Sequence, residues 1–266
     1  MKLKDVLSPS FKTIGRQFDL HVEVFEGRLS IWAPMWKRAL SAGSTFCEAL
    51  VGNQILTHDQ MLHAVRHYRL GTSKSRGVIF WQIDHQDRIH DGKIMFYRTD
   101  CHRDKQHHPS WVSYHLQQRY QWPDNPPSSH CFFGLHLLKA ESRDKTIVIV
   151  EAEKTAVILS EIYPQYLWMA SGGLGEVQAE KFRPLRGRRI VLFPDTDPEG
   201  TAYKRWSAAV QEVHRQLWWE DCAPIYVSTL LEVNASEDQK QRKIDLADYW
   251  MENLRLFKPK PYTSIP

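Results

Sequence analysis

From Thr146 onward, apolar and polar positions fall into blocks that read alternately as strand and helix. Ile147-Val148-Ile149-Val150 is a short continuous apolar run, the pattern of a strand covered on both faces. The stretch 154–162 predicts a helix. Residues 166–170 predict a second strand, followed by Gly172-Gly173, 177–182 a short helix and 189–193 a third strand. A long helix is expected over 201–219, with Ala202, Trp206, Ala209, Val210, Val213 and Leu217 on one face. A fourth strand over 223–228 and a last helix over 244–253 complete the pattern. Strictly alternating strands and helices predict an α/β fold, a Rossmann-like parallel four-stranded sheet with flanking helices.

Upstream the pattern is mixed. Residues 1–40 give no readable element; 31–40 holds two tryptophans and two basic residues interrupted by Pro34. Phe46, Leu50, Ile55, Met61, Leu62 and Val65 recur at helical spacing over 46–68, and Thr57 is placed to cap a helix starting near His58. Residues 71–73 close that unit. A strand over 78–83, a polar turn over 84–88 and a returning strand over 93–97 predict a hairpin. The stretch 98–130 is polar, rich in His, Arg and Pro, and reads as loop or linker with Pro123, Pro126 and Pro127. An apolar segment follows at 132–138. The expected organisation is a smaller α+β domain over 1–143 followed by the α/β domain over 144–266.

Three acidic segments lie on this scaffold: Val150-Glu151-Ala152-Glu153-Lys154, Phe193-Pro194-Asp195-Thr196-Asp197-Pro198-Glu199-Gly200, and Lys243-Ile244-Asp245-Leu246-Ala247-Asp248-Tyr249. In parallel sheets, sites form beyond the carboxyl ends of the strands. Glu151 follows the first strand, and Asp195 and Asp197 follow the third. These carboxylates therefore reach one sheet edge, where hard oxygen ligands can hold Mg²⁺ beside a phosphate. Gly172 and Gly173 allow close backbone approach there. Two structural readings compete: Asp197 as the cap of the following helix, and Glu153-Lys154 as an exposed first-turn pair.

Charge and cysteine content sharpen this only in part. The net charge is +4, but residues 1–144 carry 19 Lys and Arg against 14 Asp and Glu, and 12 of the 13 histidines. A basic first half joined to an acidic-motif half suits a protein that holds a polyanion; ordinary solvated surface fits equally well. Cys47, Cys101, Cys131 and Cys222 are scattered, without a Cys-x-x-Cys pair, which argues against a zinc ribbon or a disulfide framework. Cys101, His102, His107 and His108 match no common zinc spacing. The tryptophans offer stacking platforms, although Trp81, Trp168 and Trp206 sit in core patterns. No apolar run reaches a membrane-spanning length, and the N-terminus lacks a signal-peptide pattern; residence in the cytoplasm, away from a membrane, is the expectation.

The motifs over about 144–250 resemble a toprim domain, the metal-binding fold of bacterial primases, type IA and type II topoisomerases and certain nucleases. Glu151, Ser171-Gly172-Gly173, and Asp195 with Asp197 match its signature, and Asp245 with Asp248 matches the downstream Asp-x-x-Asp of the primase branch. The stretches 77–89 and 132–138 are similar to the segments leading into the toprim domain of bacterial primases. The whole pattern looks like a primase-like toprim family of phages and bacterial mobile elements. This resemblance implies a primase-like nucleotidyltransferase acting on single-stranded DNA or RNA with nucleoside triphosphates. Glu151, Asp195 and Asp197 would be catalytic and would bind Mg²⁺ or Mn²⁺. Asp245, Asp248, Gly172 and Gly173 would support them, and Arg98, Arg103 and Lys105 would contact nucleic acid. A separate helicase or replication protein is the implied partner. The chain departs from bacterial primases in having no zinc-ribbon candidate, in carrying Ala152 where glycine is usual, and in lacking a P-loop. A toprim nuclease with the same metal residues and a non-catalytic nucleic-acid-binding accessory protein are the alternatives.

Overall fold

In a computed structural model of the chain, residues 21–25, 28–32, 42–120, 130–217 and 224–254 are described. The fold is mixed α/β and divides into two compact units, Met1–Arg143 and Asp144–Pro266. The first contains a six-stranded antiparallel sheet.

That sheet contains β1 (His21–Phe25), β2 (Arg28–Trp32), β3 (Gly71–Thr72), β4 (Val78–Ile83), β5 (Ile89–Met95) and β6 (Ser110–Trp111). Its order is β1-β2-β5-β4-β3, with β6 also pairing with β5. The expected hairpin is β4–β5, but β5 begins at Ile89 rather than 93, with a bulge between Gln82 and Ile83. The turn is locked by buried Asp84. Its carboxylate accepts from the N–H groups of Gln86 (2.8 Å) and Arg88 (3.0 Å), from Arg88 Nε (2.7 Å), and pairs with His90 Nε2 (3.0 Å). Burial works against its charge, yet His90 and the Arg88 contacts hold its pKa well below the usual carboxylate range.

The helical stretch expected over 46–68 is two helices, Thr45–Gly52 and His58–Tyr68, the second starting after Thr57 as expected, and Gln54 between them takes a positive φ. Thr57 caps the second in a capping box with Gln60. Residues 71–72 form β3 rather than simply closing the unit. Phe46, Tyr68, Phe80 and Phe133 interlock at ring separations of 4.9–5.5 Å, so the apolar segment at 132–138 seals this core. Its last part is a 3-10 turn, Leu135–Lys139. The stretch 98–130 is not all loop. It contains β6 and the helix Val112–Tyr120, tied to β5 by buried Asp91, which accepts from Ser113 N–H (3.0 Å) and Oγ (2.5 Å). Residues 33–41 and the three prolines at 123–127 lie outside the described residues.

The second unit has four parallel strands: β7 (Ile147–Val150), β8 (Leu167–Ala170), β9 (Ile190–Phe193) and β10 (Ile225–Val227). They run in the order β10-β9-β7-β8. β7 and β8 are buried at every position, as a sheet covered on both faces requires. The helix Glu153–Ile162 follows β7 and is buried from Glu153 to Ser160. The helix Thr201–Leu217 turns Ala202, Trp206, Val210, Val213 and Leu217 inward; Trp206 Nε1 anchors the loop after β8 through the Leu174 carbonyl (3.1 Å). Two helices absent from the sequence reading, Leu230–Asn234 and Glu237–Arg242, follow β10, and the expected last helix is a short turn, Leu246–Tyr249, that widens into a π-type turn over Trp250–Leu254. No helix among the described residues is long and apolar enough to cross a membrane.

Candidate active site

The strand order creates a switch point. From β7 the chain crosses to β8 on one side, whereas from β9 it crosses to β10 on the other, so β7 and β9 are neighbours whose connections leave in opposite directions. Clefts for ligands open at such points, beyond the carboxyl ends of the strands. Val150 is paired with Phe193 at the ends of β7 and β9. Glu151 is the next residue after one strand, and Asp195 lies two beyond the other.

A third segment joins them. Thr196 N–H donates to the Ile244 carbonyl (3.1 Å), which brings the 245–248 turn to the end of β9. Asp245 caps that turn, accepting from Asp248 N–H (2.8 Å), while Asp248 accepts in return from Asp245 N–H (3.4 Å). Lys154, buried in the first turn after β7, reaches both: Nζ lies 3.1 Å from Asp245 Oδ2 and 2.8 Å from Asp248 Oδ1.

The carboxylates feel one another strongly. Part of Asp195 meets solvent, yet burial of its carboxyl, followed by the charges of Asp245 and Glu151, raises its pKa well above the ordinary value despite the opposing charge of Lys154. Burial and the neighbouring Asp245 charge raise Asp248. Asp245 is held low: burial opposes its charge, but Lys154 and the Asp248 N–H outweigh it.

Asp197 faces different neighbours. Oδ1 accepts from the N–H groups of Glu199 (3.1 Å) and Thr201 (3.0 Å), and Oδ2 from Ala202 (2.9 Å). It thus serves the N-terminus of the helix Thr201–Leu217, and these bonds outweigh partial burial to lower its pKa. Gly172 takes φ +85°, which requires glycine, and its N–H donates to the Glu151 carbonyl (2.9 Å), bracing the end of β7. Gly173 N–H donates to Ser171 Oγ (3.4 Å). Among the described residues, no group of three or more His, Cys, Asp or Glu side chains is placed to hold one metal ion.

Residues 44–196, more than half of the chain, match the model of a family described as Domain of unknown function (DUF6371). The chain belongs to the DUF6371 family. The matched part of this DUF6371 chain includes Glu151 and Asp195 and stops before Asp197. No curated protein matches. Among solved structures, a DnaG catalytic core is 12% identical, with 84% of this chain and 82% of that chain covered and a TM-score of 0.48. A DNA primase domain from Pseudomonas aeruginosa is 15% identical, with 92% and 72% covered and a TM-score of 0.39. The E. coli primase catalytic core is 13% identical, with 96% and 80% covered and a TM-score of 0.40.

The remaining sequence candidates are placed as follows. Arg98 is engaged by Asp100 through Nε (3.2 Å) and Nη2 (2.5 Å). Arg103 and Lys105 are exposed on the same loop and, among the described residues, form no ion pair. Cys101 is buried, while His102, His107 and His108 are exposed. Trp81, Trp168 and Trp206 are core residues. Lys154 is the participant the sequence pattern missed. With Glu153 it is buried rather than an exposed pair, and its place three residues after a strand-end glutamate was the available signal. Glu232 is a further carboxylate at this end, 3.4 Å from Thr196 Oγ1.

Proposed function

We propose that this protein is a primase-like nucleotidyltransferase that joins nucleotides on a single-stranded template at a toprim-type centre. The observation that carries this reading is the placement of Glu151 and Asp195 just beyond the ends of the neighbouring strands β7 and β9, where the charges of Glu151, Asp245, Asp248 and Lys154 all act on Asp195. The order of acidic motifs, which resembles that of the primase branch of toprim proteins, supports it.

The donor set fits Mg²⁺ or Mn²⁺. Both side chains offer hard oxygens, and Mg²⁺ is usually held by one or two carboxylates with waters and substrate phosphates completing its shell. When bound, the ion stabilises the attacking and leaving oxygens of an in-line displacement. Glu151 and Asp195 hold it. Lys154 pairs with both Asp245 and Asp248 and offsets part of their charge behind Asp195. Asp197 fixes the β9 loop to the helix behind it, and Arg103 and Lys105 supply charge for a phosphate backbone. The partners on this reading are single-stranded DNA or RNA, nucleoside triphosphates and a separate helicase or replication protein. The setting is replication of a phage or mobile element in a cytoplasm.

The test is incubation of the protein with a labelled single strand and Mg²⁺ or Mn²⁺, with and without nucleoside triphosphates. New or extended strands that disappear in Asp195→Asn support the proposal. Shortening of the label without nucleotides identifies a nuclease using the same residues. Absence of new strands on every template, with either ion, overturns the primase reading.

A further inference from the structure

A second site lies wholly within Met1–Arg143 and uses none of the acidic residues above. A cleft of about 600 Å³ opens between the β3–β4 turn, the strands β4 and β5, the loop 106–110 and the helix Val112–Tyr120. Its floor is apolar, made by Ile79, Ile94, Val112 and Leu116, all buried in the described structure. One wall is an aromatic stack, with Phe96 and His107 face to face at 4.4 Å and 26° between their planes. That wall is fixed from two directions. Gly77 packs so tightly behind Phe96 that a Cβ there would fall 2.8 Å from Cζ of the ring. On the other side, Asp104 Oδ2 is 2.7 Å from His107 Nδ1 and sets the imidazole plane.

The rim has the opposite character. Ser73-Lys74-Ser75 forms a tight turn closed by Arg76 N–H donating to the Ser73 carbonyl (2.9 Å), with Gly77 N–H donating to Ser73 Oγ (2.9 Å). Lys74 sits exposed on this turn and, among the described residues, has no carboxylate partner; the arginines Arg69, Arg76 and Arg88 nearby in sequence are each spent on Asp or Glu. His108 and His115 complete the rim, with His115 Nε2 3.0 Å from Ser110 Oγ. Asp104 is the carboxylate beside the rim, and it is already bound to His107 and to Gln106 N–H (2.9 Å).

An apolar floor and an aromatic wall suit an aromatic heterocycle, and a cationic, hydroxyl-rich rim suits a phosphate. The volume lies in the range of small-ligand pockets, about 300–1,000 Å³. We infer that this cleft is a nucleotide site, taking a base against Ile79, Phe96 and Leu116 and its phosphate on Lys74 and the turn hydroxyls. The same chemistry is offered by a free nucleotide and by one nucleotide of a single strand. Stacking of a base on an aromatic side chain is worth about 1–3 kcal/mol.

The test measures binding of ATP and of an oligo-dT strand to the full chain in EDTA, so that it is independent of the metal centre. Lys74→Ala and His107→Ala are both exposed substitutions, and each is expected to weaken binding about tenfold, while Asp195→Asn leaves it unchanged. Photo-crosslinking with azido-ATP, or with an iodouracil-containing strand, is expected to label peptides spanning 73–79 or 107–116. Binding of ATP alone assigns the cleft to a free nucleotide, and binding of the strand alone assigns it to a template or product base. No binding of either probe overturns the inference. So does binding unaffected by both substitutions, or labelling confined to other peptides. If new-strand synthesis fails while EDTA-resistant binding persists, the catalytic reading falls and this site stands.

Discussion

Replacing Lys154 by methionine tests the electrostatic architecture of the acidic centre directly. The change keeps an unbranched chain of similar length and removes only the ammonium. In the native protein that ammonium lies 3.1 Å from Asp245 and 2.8 Å from Asp248, with side-chain exposures of 9% for Lys154 and 9% and 16% for the two aspartates. An exposed ion pair is worth about 0–1 kcal/mol, because water solvates the separated charges nearly as well. Here water has little access, and removing one partner strands two carboxylates beside Glu151 and Asp195. Breaking a buried pair in this way costs about 3–5 kcal/mol. With a urea dependence of about 2 kcal/mol per molar, the unfolding midpoint of the second unit should fall by about 2 M. Urea titration read by hydrogen exchange on peptides from 147–170 reports that unit separately from the first. Adding Asp248→Asn removes one stranded charge and should restore about 1–2 kcal/mol, a coupling typical of residues in contact. A loss below about 1 kcal/mol for Lys154→Met would refute the buried clamp and return Lys154 to the surface-pair reading.

Asp197 and His136 give two further tests. Asp197→Ala should cost about 1–2 kcal/mol by orphaning the N–H groups of Glu199, Thr201 and Ala202, whereas Asp197→Asn, whose carbonyl oxygen can replace Oδ1 but whose amide nitrogen cannot accept from Ala202, should cost about 1 kcal/mol and retain new-strand synthesis; loss of synthesis in Asp197→Asn at that modest cost in stability would make Asp197 a metal ligand instead. His136 is buried, with Nε2 3.1 Å from the His67 carbonyl, and burial, then the charge of Arg69, brings its pKa down to about 3. Since the unfolded chain takes up that proton near pH 6.5 and the folded chain does not until about pH 3, native stability falls as pH drops below 6.5. His136→Gln should therefore reduce the loss of stability between pH 7 and pH 5 by about 2 kcal/mol; an unchanged pH slope in urea titrations would contradict this.

Those elements whose burial is uniform along the chain were legible in the sequence. β7 and β8 are covered on both faces and read as unbroken apolar runs, and the helix Thr201–Leu217 shows its stripe because only one face is buried. What was missed depended on tertiary contacts. The helix Val112–Tyr120 buries Val112, Ser113 and Leu116, too few apolar positions for a stripe, and is fastened instead by Ser113 on Asp91. The interruption after Gly52 depends on a left-handed Gln54, which no periodicity announces. The helices Leu230–Asn234 and Glu237–Arg242 are too short for a period to emerge.

The candidate site divides along the same line. Glu151 and Asp195 were legible because a parallel strand delivers the residues just beyond its end to one edge, whatever the loops do. Asp197 is not fixed by that rule. Two residues later the chain is turning into a helix, and first-turn N–H groups without intrahelical acceptors claim its oxygens. Lys154 was illegible for the converse reason: a lysine next to a glutamate in a first turn reads as solvated surface until the 245–248 turn, tied in by Thr196 and Ile244, closes over it. These local settings also order the acids by their demand for a cation. Asp197 is compensated by three N–H groups and Asp245 by Lys154, whereas the closest charged neighbours of Asp195 are chiefly other carboxylates. Burial and these neighbours disfavour its ionised form, and a bound cation would favour it. The proposed metal centre therefore leans most on Asp195, and the Asp197→Asn test above decides whether Asp197 takes part as well.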